Sequence, residues 1–207
     1  SDTIIVYYCI EQNHTNMSKI LQLKITLKHT DPAVFRTIQV SSKINFLKLH
    51  DVIQLVMLWE NSHLHEFKFN EYRISQLFEE SDADWSEGVI DSKEVVVGKV
   101  LTKGDKLTYE YDFGDSWIHD IIVEKEFPSE PGVFYPRCID GAMQRPPEDC
   151  GGIPGYFGII ELMKGEKNDE YEEMVEWLGE PFDPTEFDLV MVNELLVDVF
   201  SVKKKKK

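Results

Sequence analysis

Cysteine, long apolar runs and basic residues outside the C-terminus are all scarce in this chain of 207 residues. Its three cysteines, Cys9, Cys138 and Cys150, are too few and too scattered for the disulfide framework of a small secreted protein. No stretch approaches the roughly 18 continuous apolar residues of a membrane span. The short apolar run at 4–10 contains two tyrosines and lacks a basic flank, so no signal peptide is expected and the cytoplasm is the default location.

Positive charge is in short supply. The chain has 22 lysines and arginines against 38 aspartates and glutamates, and five of the lysines form the terminal run Lys203 to Lys207. Because only 17 basic residues remain in the rest of the chain, we expect it to repel phosphate backbones and anionic lipid surfaces. The sequence therefore predicts no membrane attachment and no binding of duplex DNA by the folded body. Its charge is compatible with a basic protein partner, with cations, or with solubility alone.

Apolar and aromatic side chains are abundant. They make up 42% and 12% of the sequence, enough to build a sizeable core without disulfides or structural metals. No internal repeat and no glycine-serine linker divides the chain. We expect a single domain over 20–202, preceded by an N-terminal extension at 1–19 and followed by a basic tail at 203–207.

The order of the expected elements indicates an α+β fold. Strands are predicted by period-two alternation and helices by apolar residues at helical spacing. The expected strands are 21–27, 35–40, 65–69 and 72–75, and the expected helices are 46–59, 155–163, 169–178 and 185–200. An acidic loop is expected at 79–92. We predict a compact roll of mixed or antiparallel strands, with a core helix after the first hairpin and a helical C-terminal third.

The most informative segment is a second hairpin over residues 109–124, with a turn at Gly114-Asp115. A two-residue loop would mix charged and apolar side chains on both faces. A three-residue loop, or a longer odd loop that keeps the same pairing, makes one face apolar or aromatic except for His119. We expect this register, in which Phe113 opposes Trp117 and Tyr111 opposes His119.

His119 allows two interpretations. It lies within nine residues of Asp112, Asp115 and Asp120, a density that would suit a metal site or an acid–base constellation. The expected register instead buries His119 between tyrosines, bonded to one polar partner, with Asp112 and Asp120 on the opposite face. We expect the buried arrangement, in which loss of hydration lowers the pKa of His119 below its ordinary value of about 6.5.

Two cysteines, Cys138 and Cys150, lie in a loop rich in proline and glycine that follows the hairpin. Prolines stiffen such a loop, and Gly151 and Gly152 permit positive φ angles beside Cys150. The two thiols and His119 could supply three zinc ligands, although their spacing matches no compact zinc motif. Two buried, reduced thiols are the first interpretation, and a metal or reactive-thiol site is the alternative. We expect no metal and no cofactor.

Four ordered motifs carry a family resemblance. They are Tyr-Glu-Tyr-Asp-Phe-Gly-Asp-Ser-Trp-Ile-His at 109–119, Cys-Ile-Asp-Gly at 138–141, Pro-Pro-Glu-Asp-Cys-Gly-Gly at 146–152 with Gly155 and Tyr156, and Phe-Asp-Pro-Thr-Glu-Phe-Asp at 182–188 with Asn193. Over roughly residues 20–200 they resemble the plasmid pRiA4b ORF-3-like family. The resemblance implies an α+β roll, an intracellular setting, sometimes a mobile-element context, and no established activity. Many relatives have a cysteine just before the Pro-Pro pair, where this chain has Arg145, and this difference argues against a three-cysteine metal site.

Two functions of different class remain open. The first is a non-catalytic binding or accessory protein, whose acidic surface and rigid loop from Cys138 to Gly155 engage a protein partner. The second is an enzyme with a site between that loop and the 109–124 hairpin, and nucleic-acid binding is a weaker third. No pattern indicates the oligomeric state. The candidate catalytic residues are His119, Glu148, Asp149 and Cys150, and the candidate binding residues are Asp112, Asp115, Trp117, Asp140 and Tyr156.

Overall fold

One mixed sheet of eight strands organises the part of the chain that the structure, a computed structural model, describes: residues 19–77 and 87–202. The strands are β1 (Lys19–Leu27), β2 (Phe35–Ser41), β3 (His65–Phe69), β4 (Tyr72–Ser75), β5 (Val89–Asp91), β6 (Lys106–Tyr111), β7 (Trp117–Pro128) and β8 (Arg137–Ala142). Their spatial order is β5-β4-β3-β6-β7-β1-β2-β8, and the pairs run antiparallel except for the parallel pair β4 and β5. The predicted α+β class is confirmed.

Five helices accompany the sheet within the same described residues. They are α1 (Phe46–Met57), α2 (Val97–Val100), α3 (Gly152–Lys164), α4 (Asp169–Leu178) and α5 (Leu189–Val202). The core helix after the first hairpin and the helical C-terminal third are thus confirmed. The predicted start of the last helix at 185 is wrong, because the Asp188 carboxylate accepts hydrogen bonds from the backbone N–H groups of Val190 and Met191 and caps the helix there.

Helix α1 lies at the centre of the core because its apolar residues recur at helical spacing. The Asn45 side chain accepts a hydrogen bond from the Lys48 backbone N–H at 2.9 Å and so caps the first turn. Leu58, in the left-handed conformation at φ 58°, ends the helix. Leu49 and Val52 are buried against the sheet, like most side chains of this helix.

Two arginines, the buried Arg36 and the half-buried Arg145, bind the carbonyls at the C-terminal end of α1. The Arg36 Nε donates to the Val56 carbonyl at 2.9 Å, and the Arg145 Nε donates to the Leu58 carbonyl at 3.1 Å. Both side chains place positive charge where the helix leaves carbonyls unpaired, which stabilises the helix end. Arg145 therefore has a structural role here.

The second hairpin confirms the predicted buried face and corrects the predicted pairing. Tyr111 pairs with Trp117 and Tyr109 with His119, so the register differs by two residues from the expected one. The reason is the connection at 112–116, in which Asp112 and Ser116 adopt left-handed backbone angles of 56° and 57° and leave the ladder. A shift of two residues preserves the face of every strand residue.

Two side chains of this connection differ from expectation as a result. Phe113, which the three-residue register placed on the buried face, is 39% exposed. Asp112, which was expected to point away from the core, is buried. It no longer belongs to a strand, so the alternation of strand faces does not determine its direction.

Several sequence-based expectations lie outside the described residues. These are the extension at 1–18 with Cys9, the larger part of the acidic loop (78–86), and the lysine tail at 203–207. The proposed domain limits therefore stay predictions. Within 19–77 and 87–202, every helix is too short or too polar to cross a lipid bilayer.

Candidate functional site

Three loops of different origin meet at one end of the second hairpin. The segment after α1 supplies His63, the hairpin connection supplies Asp112, and the loop before α3 supplies Glu148 and Asp149. The Nε2 atom of His63 lies 3.2 Å from the Asp149 Oδ1, 3.6 Å from the Glu148 Oε2 and 3.7 Å from the Asp112 Oδ2. One imidazole nitrogen is thus surrounded by three carboxylates, and we call these four residues the His63 cluster.

The His63 nitrogen is buried without a hydrogen bond among the described residues. None of its three close contacts to carboxylate oxygens has hydrogen-bond geometry, although one is as short as 3.2 Å. The Asp112 side chain is 9% exposed, and its Oδ1 accepts a hydrogen bond from the Gly114 N–H at 2.9 Å while its Oδ2 faces the imidazole. Burial of the His63 Nε2 and the Asp112 Oδ2 without a hydrogen bond between them is unfavourable unless a ligand binds both atoms.

Glu148 is held more firmly than its neighbour Asp149. Its Oε1 accepts hydrogen bonds from the Glu60 N–H at 2.8 Å and from the Tyr111 hydroxyl at 3.1 Å. The same hydroxyl accepts from the Ser62 N–H at 3.0 Å. Burial, reinforced by the Glu148 charge, raises the pKa of Tyr111, so the phenol stays protonated and remains a donor. Asp149, by contrast, is 71% exposed.

A polar network in the core positions the loop that carries His63. Asn61 has a left-handed backbone at φ 58°, and its N–H donates to the Gln54 Oε1 at 3.1 Å. Its side-chain oxygen lies 2.7 Å from the His50 Nε2, and the His50 Nδ1 lies 2.8 Å from the Tyr109 hydroxyl. The Gln54 Nε2 donates to the same hydroxyl at 3.0 Å. These bonds join α1 to β6 and fix the start of the loop two residues before His63.

Backbone conformation places the acidic end of the cluster. Asp149, Gly151 and Gly152 have φ angles of 54°, 89° and 68°, a turn that glycine adopts without strain. A Cβ atom on Gly152 would lie 2.8 Å from the Asp115 carbonyl oxygen, so the hairpin connection and the loop are in close contact. The Asp115 carboxylate also accepts a hydrogen bond from the Gly151 N–H at 3.1 Å. Asp115 thus joins the two loops that carry Asp112 and Asp149.

A cleft of about 290 Å³ lies beside the cluster, and His63 forms part of its wall. Its lining is uncharged apart from histidine and consists of Asn61, Ser62, His63, Leu64, His65, Ser75 and Gln76. His65 is buried, and its ring stacks on that of His50 at 3.4 Å between centroids. Burial and the neighbouring His50 lower the pKa of His65 to about 2, so this wall of the cleft stays neutral.

The donor atoms of the cluster suit a metal ion. The ligand atoms of His63, Asp112 and Asp149 all lie within 4.8 Å of one another, and no other such group was found in the described parts of the chain. Imidazole nitrogen suits zinc and iron, and carboxylate oxygen suits manganese and magnesium. A mixed set of one nitrogen and two carboxylates is accordingly suited to a divalent ion of intermediate softness, such as Zn²⁺, Mn²⁺ or Fe²⁺.

Among the candidates from sequence, Glu148, Asp149 and Asp112 come together and His119 does not join them. His119 is fully buried as predicted, with its ring 5.4 Å from that of Trp59 and 5.5 Å from that of Tyr109. Burial lowers its pKa to about 4, although backbone groups of Tyr109 and Trp117 oppose the shift. The expected polar partner is wrong, because neither ring nitrogen has a hydrogen bond within the described residues. Its cross-strand neighbour is Tyr109 rather than Tyr111.

The two cysteines contribute no donor atom to the His63 cluster and carry little thiolate. The Cys138 thiol is buried and donates to the Asp140 carbonyl at 3.3 Å, and burial raises its pKa to about 11. Cys150 is partly buried, and burial followed by the charge of Asp115 raises the pKa of its thiol to about 12. Both thiols are free. A raised pKa makes a thiol a poor nucleophile at neutral pH.

The remaining binding candidates occupy three different environments. Trp117 is fully buried beneath Trp59, with ring centroids 6.3 Å apart. Tyr156 is buried and its hydroxyl donates to the Gln144 carbonyl at 3.1 Å. Asp140 is exposed at the edge strand β8, where its carboxylate accepts from the Gly141 N–H. None of the three contributes an atom to the His63 cluster.

Sequence reasoning missed His63 altogether. The residue follows the core helix within the polar run Glu60-Asn-Ser-His63, and it is far in sequence from both Asp112 and Asp149. No local spacing could connect the three. The available signal was a histidine in a loop between a core helix and a strand, a position where functional side chains are common.

Comparison with known proteins identifies a family and a solved structure with a similar fold. The profile of the plasmid pRiA4b ORF-3-like protein family matches residues 19–191. The chain belongs to this family. The uncharacterized protein y4hQ of Sinorhizobium fredii (strain NBRC 101917 / NGR234) is 36% identical over 165 residues, which are 79% of this chain and 82% of the relative. The crystal structure of the protein of unknown function MM3350 from Methanosarcina mazei Go1 has a TM-score of 0.76 at 37% identity, covering 85% of this chain and 97% of that chain.

Proposed function

We propose that this pRiA4b ORF-3-like protein binds a divalent metal ion through His63, Asp112 and Asp149. The observation that supports the proposal is the buried, unbonded Nε2 of His63, which lies 3.2 Å from the Asp149 oxygen and 3.7 Å from the Asp112 oxygen. Donor atoms that share one zinc ion at about 2.0–2.2 Å lie roughly 3–3.6 Å apart. The two distances from the His63 Nε2 are close to that spacing, and the two carboxylate oxygens lie within 4.8 Å of each other.

Charge supports the same proposal. Asp112, Glu148 and Asp149 place three carboxylates around one imidazole nitrogen, and like charges this close destabilise one another. A divalent cation offsets that repulsion and binds the groups that lack hydrogen bonds to each other. The sequence-based expectation of no metal weighed the cysteines and His119 with its neighbouring aspartates, and it did not include His63. Of the residues weighed then, Asp112 belongs to the cluster, whereas His119 and the cysteines do not.

Elemental analysis and calorimetry test the proposal. We expect one zinc, manganese or iron ion per chain in protein purified without a metal-affinity tag. Titration of the metal-free protein with Zn²⁺ and Mn²⁺ should give a stoichiometry of one. His63→Gln and Asp112→Asn should each weaken binding by about 10- to 100-fold or more. Asp140→Asn, an exposed carboxylate on β8, is the matched control and should leave affinity unchanged. Equal affinity in all four proteins, or no stoichiometric binding, would contradict the proposal.

A second candidate function is binding of a basic protein partner through helix α4. The side chain of Trp177 is 53% exposed on this helix, which carries acidic residues at Asp169, Glu170, Glu172, Glu173 and Glu176. Tryptophan is enriched among the residues that dominate interface energies, and it attracts cationic side chains over its ring face. With a labelled lysine-rich peptide in anisotropy titrations, Trp177→Ala should bind at least about 5-fold more weakly. Val190→Ala, which alters an exposed apolar residue on α5, should bind as the unaltered chain does.

We also propose that the folded body does not bind duplex DNA, despite the mobile-element context that the family resemblance suggested, and that it functions in the cytoplasm. The support is the excess of 38 acidic over 22 basic residues, five of which are in the terminal lysine run. Titrations with labelled duplex at about 50 mM and 200 mM salt should show weak, salt-sensitive binding that disappears when the chain ends at Val202. Tight, sequence-selective binding by the shortened chain would overturn this view.

A further inference from the structure

We propose that the metal ion of the His63 cluster carries a water molecule and hydrolyses a neutral amide or ester substrate held in the adjacent cleft. The inference rests on the proposed metal site and goes beyond it by assigning a reaction and a substrate class.

The number of protein ligands indicates an open metal site. His63, Asp112 and Asp149 are the three residues whose donor atoms are mutually within 4.8 Å, and Glu148 is outside that set. Structural zinc sites have four protein ligands, whereas catalytic zinc sites have three and bind water or substrate at the remaining position. A divalent ion held by these three residues therefore retains a position for water, whose pKa the ion lowers.

Glu148 is placed to accept the proton of that water. Its Oε1 is occupied by hydrogen bonds from the Glu60 N–H and the Tyr111 hydroxyl, which fix the side chain. Its Oε2 faces the cluster, 3.6 Å from the His63 Nε2, and has a longer contact of 3.4 Å to the Tyr111 hydroxyl. A carboxylate that is anchored by one oxygen and directed at the metal by the other has the arrangement of a general base.

The reaction balances without an oxidant or a second cofactor. The metal-bound water gives one proton to the Glu148 carboxylate, and its oxygen forms a bond to the carbonyl carbon of the substrate. The electron pair of the C=O bond moves onto the carbonyl oxygen, where the metal ion stabilises the charge. The C–N or C–O bond then breaks, the carbonyl reforms, and the leaving amine or alcohol takes the proton from Glu148.

The lining of the cleft favours a neutral substrate. Asn61, Ser62 and Gln76 line the cleft with amide and hydroxyl groups that can hydrogen-bond to a peptide-like molecule. Two ligand carboxylates offset the charge of a divalent ion, and Glu148 then leaves the site negative.

An arginine close to the cluster is already bonded to other parts of the fold. Arg145, close to Glu148, donates hydrogen bonds to the carbonyls of Leu58 and Pro146. Phosphate esters would therefore approach a site of like charge without a free cationic partner from Arg145.

The test uses the full chain loaded with Zn²⁺, Mn²⁺ or Co²⁺, and it measures metal affinity, ligand binding and turnover separately. The probes for turnover are acetyl-alanine p-nitroanilide, the corresponding p-nitrophenyl ester and bis-p-nitrophenyl phosphate. The probe for the open position is acetohydroxamic acid, an oxygen chelator that is neutral in solution, which should change the visible spectrum of the Co²⁺ form. We expect metal-dependent release of p-nitroaniline or p-nitrophenol from the neutral probes and none from the phosphate diester.

Glu148→Gln separates this inference from the metal site itself. The glutamine oxygen can still accept from the Glu60 N–H and the Tyr111 hydroxyl, so the metal dissociation constant should stay within about 3-fold of the original. Turnover should fall at least about 100-fold. Asp140→Asn should keep both properties.

Four results would overturn the inference. Metal binding with no hydroxamate response and no turnover would leave the proposed function standing and remove this one. Cleavage of the phosphate diester alone would reject the substrate class, and full turnover by Glu148→Gln would reject the assigned base. The absence of metal binding in calorimetry would remove the proposed function as well.

Discussion

Two neighbourhoods of histidine lie side by side in this protein and differ in almost every physical respect. In the core, His50, His65 and His119 are buried against aromatic rings, and burial lowers their pKa values to about 4, about 2 and about 4. At the rim, His63 is 28% exposed and faces three carboxylates. The same ring therefore serves as a neutral packing unit in one place and as a candidate metal ligand in the other. The surroundings, rather than the residue type, decide which role is possible.

The largest effect expected from this difference is a loss of stability in mild acid. The three core histidines stay neutral in the folded protein down to about pH 4 or below, whereas they take up protons near pH 6.5 when unfolded. Their contribution is therefore complete above pH 6.5 and is lost as the pH falls from 6.5 towards 4. The three together should lower the free energy of unfolding at pH 5.5 by about 4 kcal/mol relative to pH 7.5. Urea unfolding at pH 7.5, 6.5 and 5.5 measures this, and a constant free energy across the series would break the comparison.

A smaller loss of stability should follow when the hydrogen bond between Asn61 and His50, which links the two neighbourhoods, is removed. Asn61→Gly keeps the positive φ angle of 58° but removes the oxygen beside the His50 Nε2. Leaving that buried group without a partner should cost about 1–3 kcal/mol. Metal affinity should fall about 10-fold or more, because the loop that carries His63 loses its anchor.

Asn70 provides the matched control for this change. It also has a positive φ angle, 53°, and lies in the turn between β3 and β4. Asn70→Gly should alter the free energy of unfolding by only a few tenths of a kcal/mol and leave metal affinity unchanged. If calorimetry and urea unfolding give the same results for both variants, the proposed connection is wrong.

A still smaller effect is expected when a core histidine is replaced by an apolar ring. The nitrogens of His119 are buried without hydrogen bonds in the described part of the chain, so His119→Phe should change stability at pH 7.5 by less than about 1 kcal/mol. It should also reduce the acid effect at pH 5.5 by about one third, because one of the three buried histidines is removed. His63→Phe should do the reverse, abolishing metal binding and keeping the full response to acid. A loss above about 3 kcal/mol in His119→Phe would contradict the absence of hydrogen bonds at the His119 nitrogens.

The smallest effect should come from the thiols, which belong to neither neighbourhood. Burial raises the pKa of Cys138 to about 11 and that of Cys150 to about 12. At pH 7.5 their thiolate fractions, and with them their alkylation rates, should be at least about 100-fold below those of a free cysteine. Iodoacetamide labelling followed by peptide mapping measures both sites. Addition of Zn²⁺ should not change the rates, and protection of either thiol by zinc would reassign the metal ligands.

The parts of the fold that depend on periodicity could be predicted from the sequence. The strands around Leu23 and Ile38, the core helix capped by Asn45 and the buried face of the second hairpin all follow from alternation or helical spacing. The pairing within that hairpin could not be predicted, because Asp112 and Ser116 leave the ladder through positive φ angles that neither residue type requires.

The site was only half predictable, for a related reason. Glu148 and Asp149 could be identified as candidates because the prolines and glycines around them predict a rigid loop. His63 had no such context, since its role depends on contacts with residues from two other loops that are distant in sequence. When loops that are distant in sequence meet in the fold, the residues involved show no periodic pattern in the sequence. His119 attracted attention as a polar residue in an aromatic motif, and that motif turned out to be core packing.

The polar network behind the cluster has a direction, and a single backbone amide sets it. The Asn61 N–H can only donate, so Gln54 turns its oxygen towards Asn61 and its nitrogen towards Tyr109. The phenol already accepts that bond, so its own proton goes to the Nδ1 of His50. His50 must then be the Nε2–H tautomer, which returns a hydrogen bond to the Asn61 side chain and closes a ring of donors with one sense of rotation. The nitrogen chemical shifts of one imidazole in the core thereby report the backbone geometry at Asn61, two residues from His63.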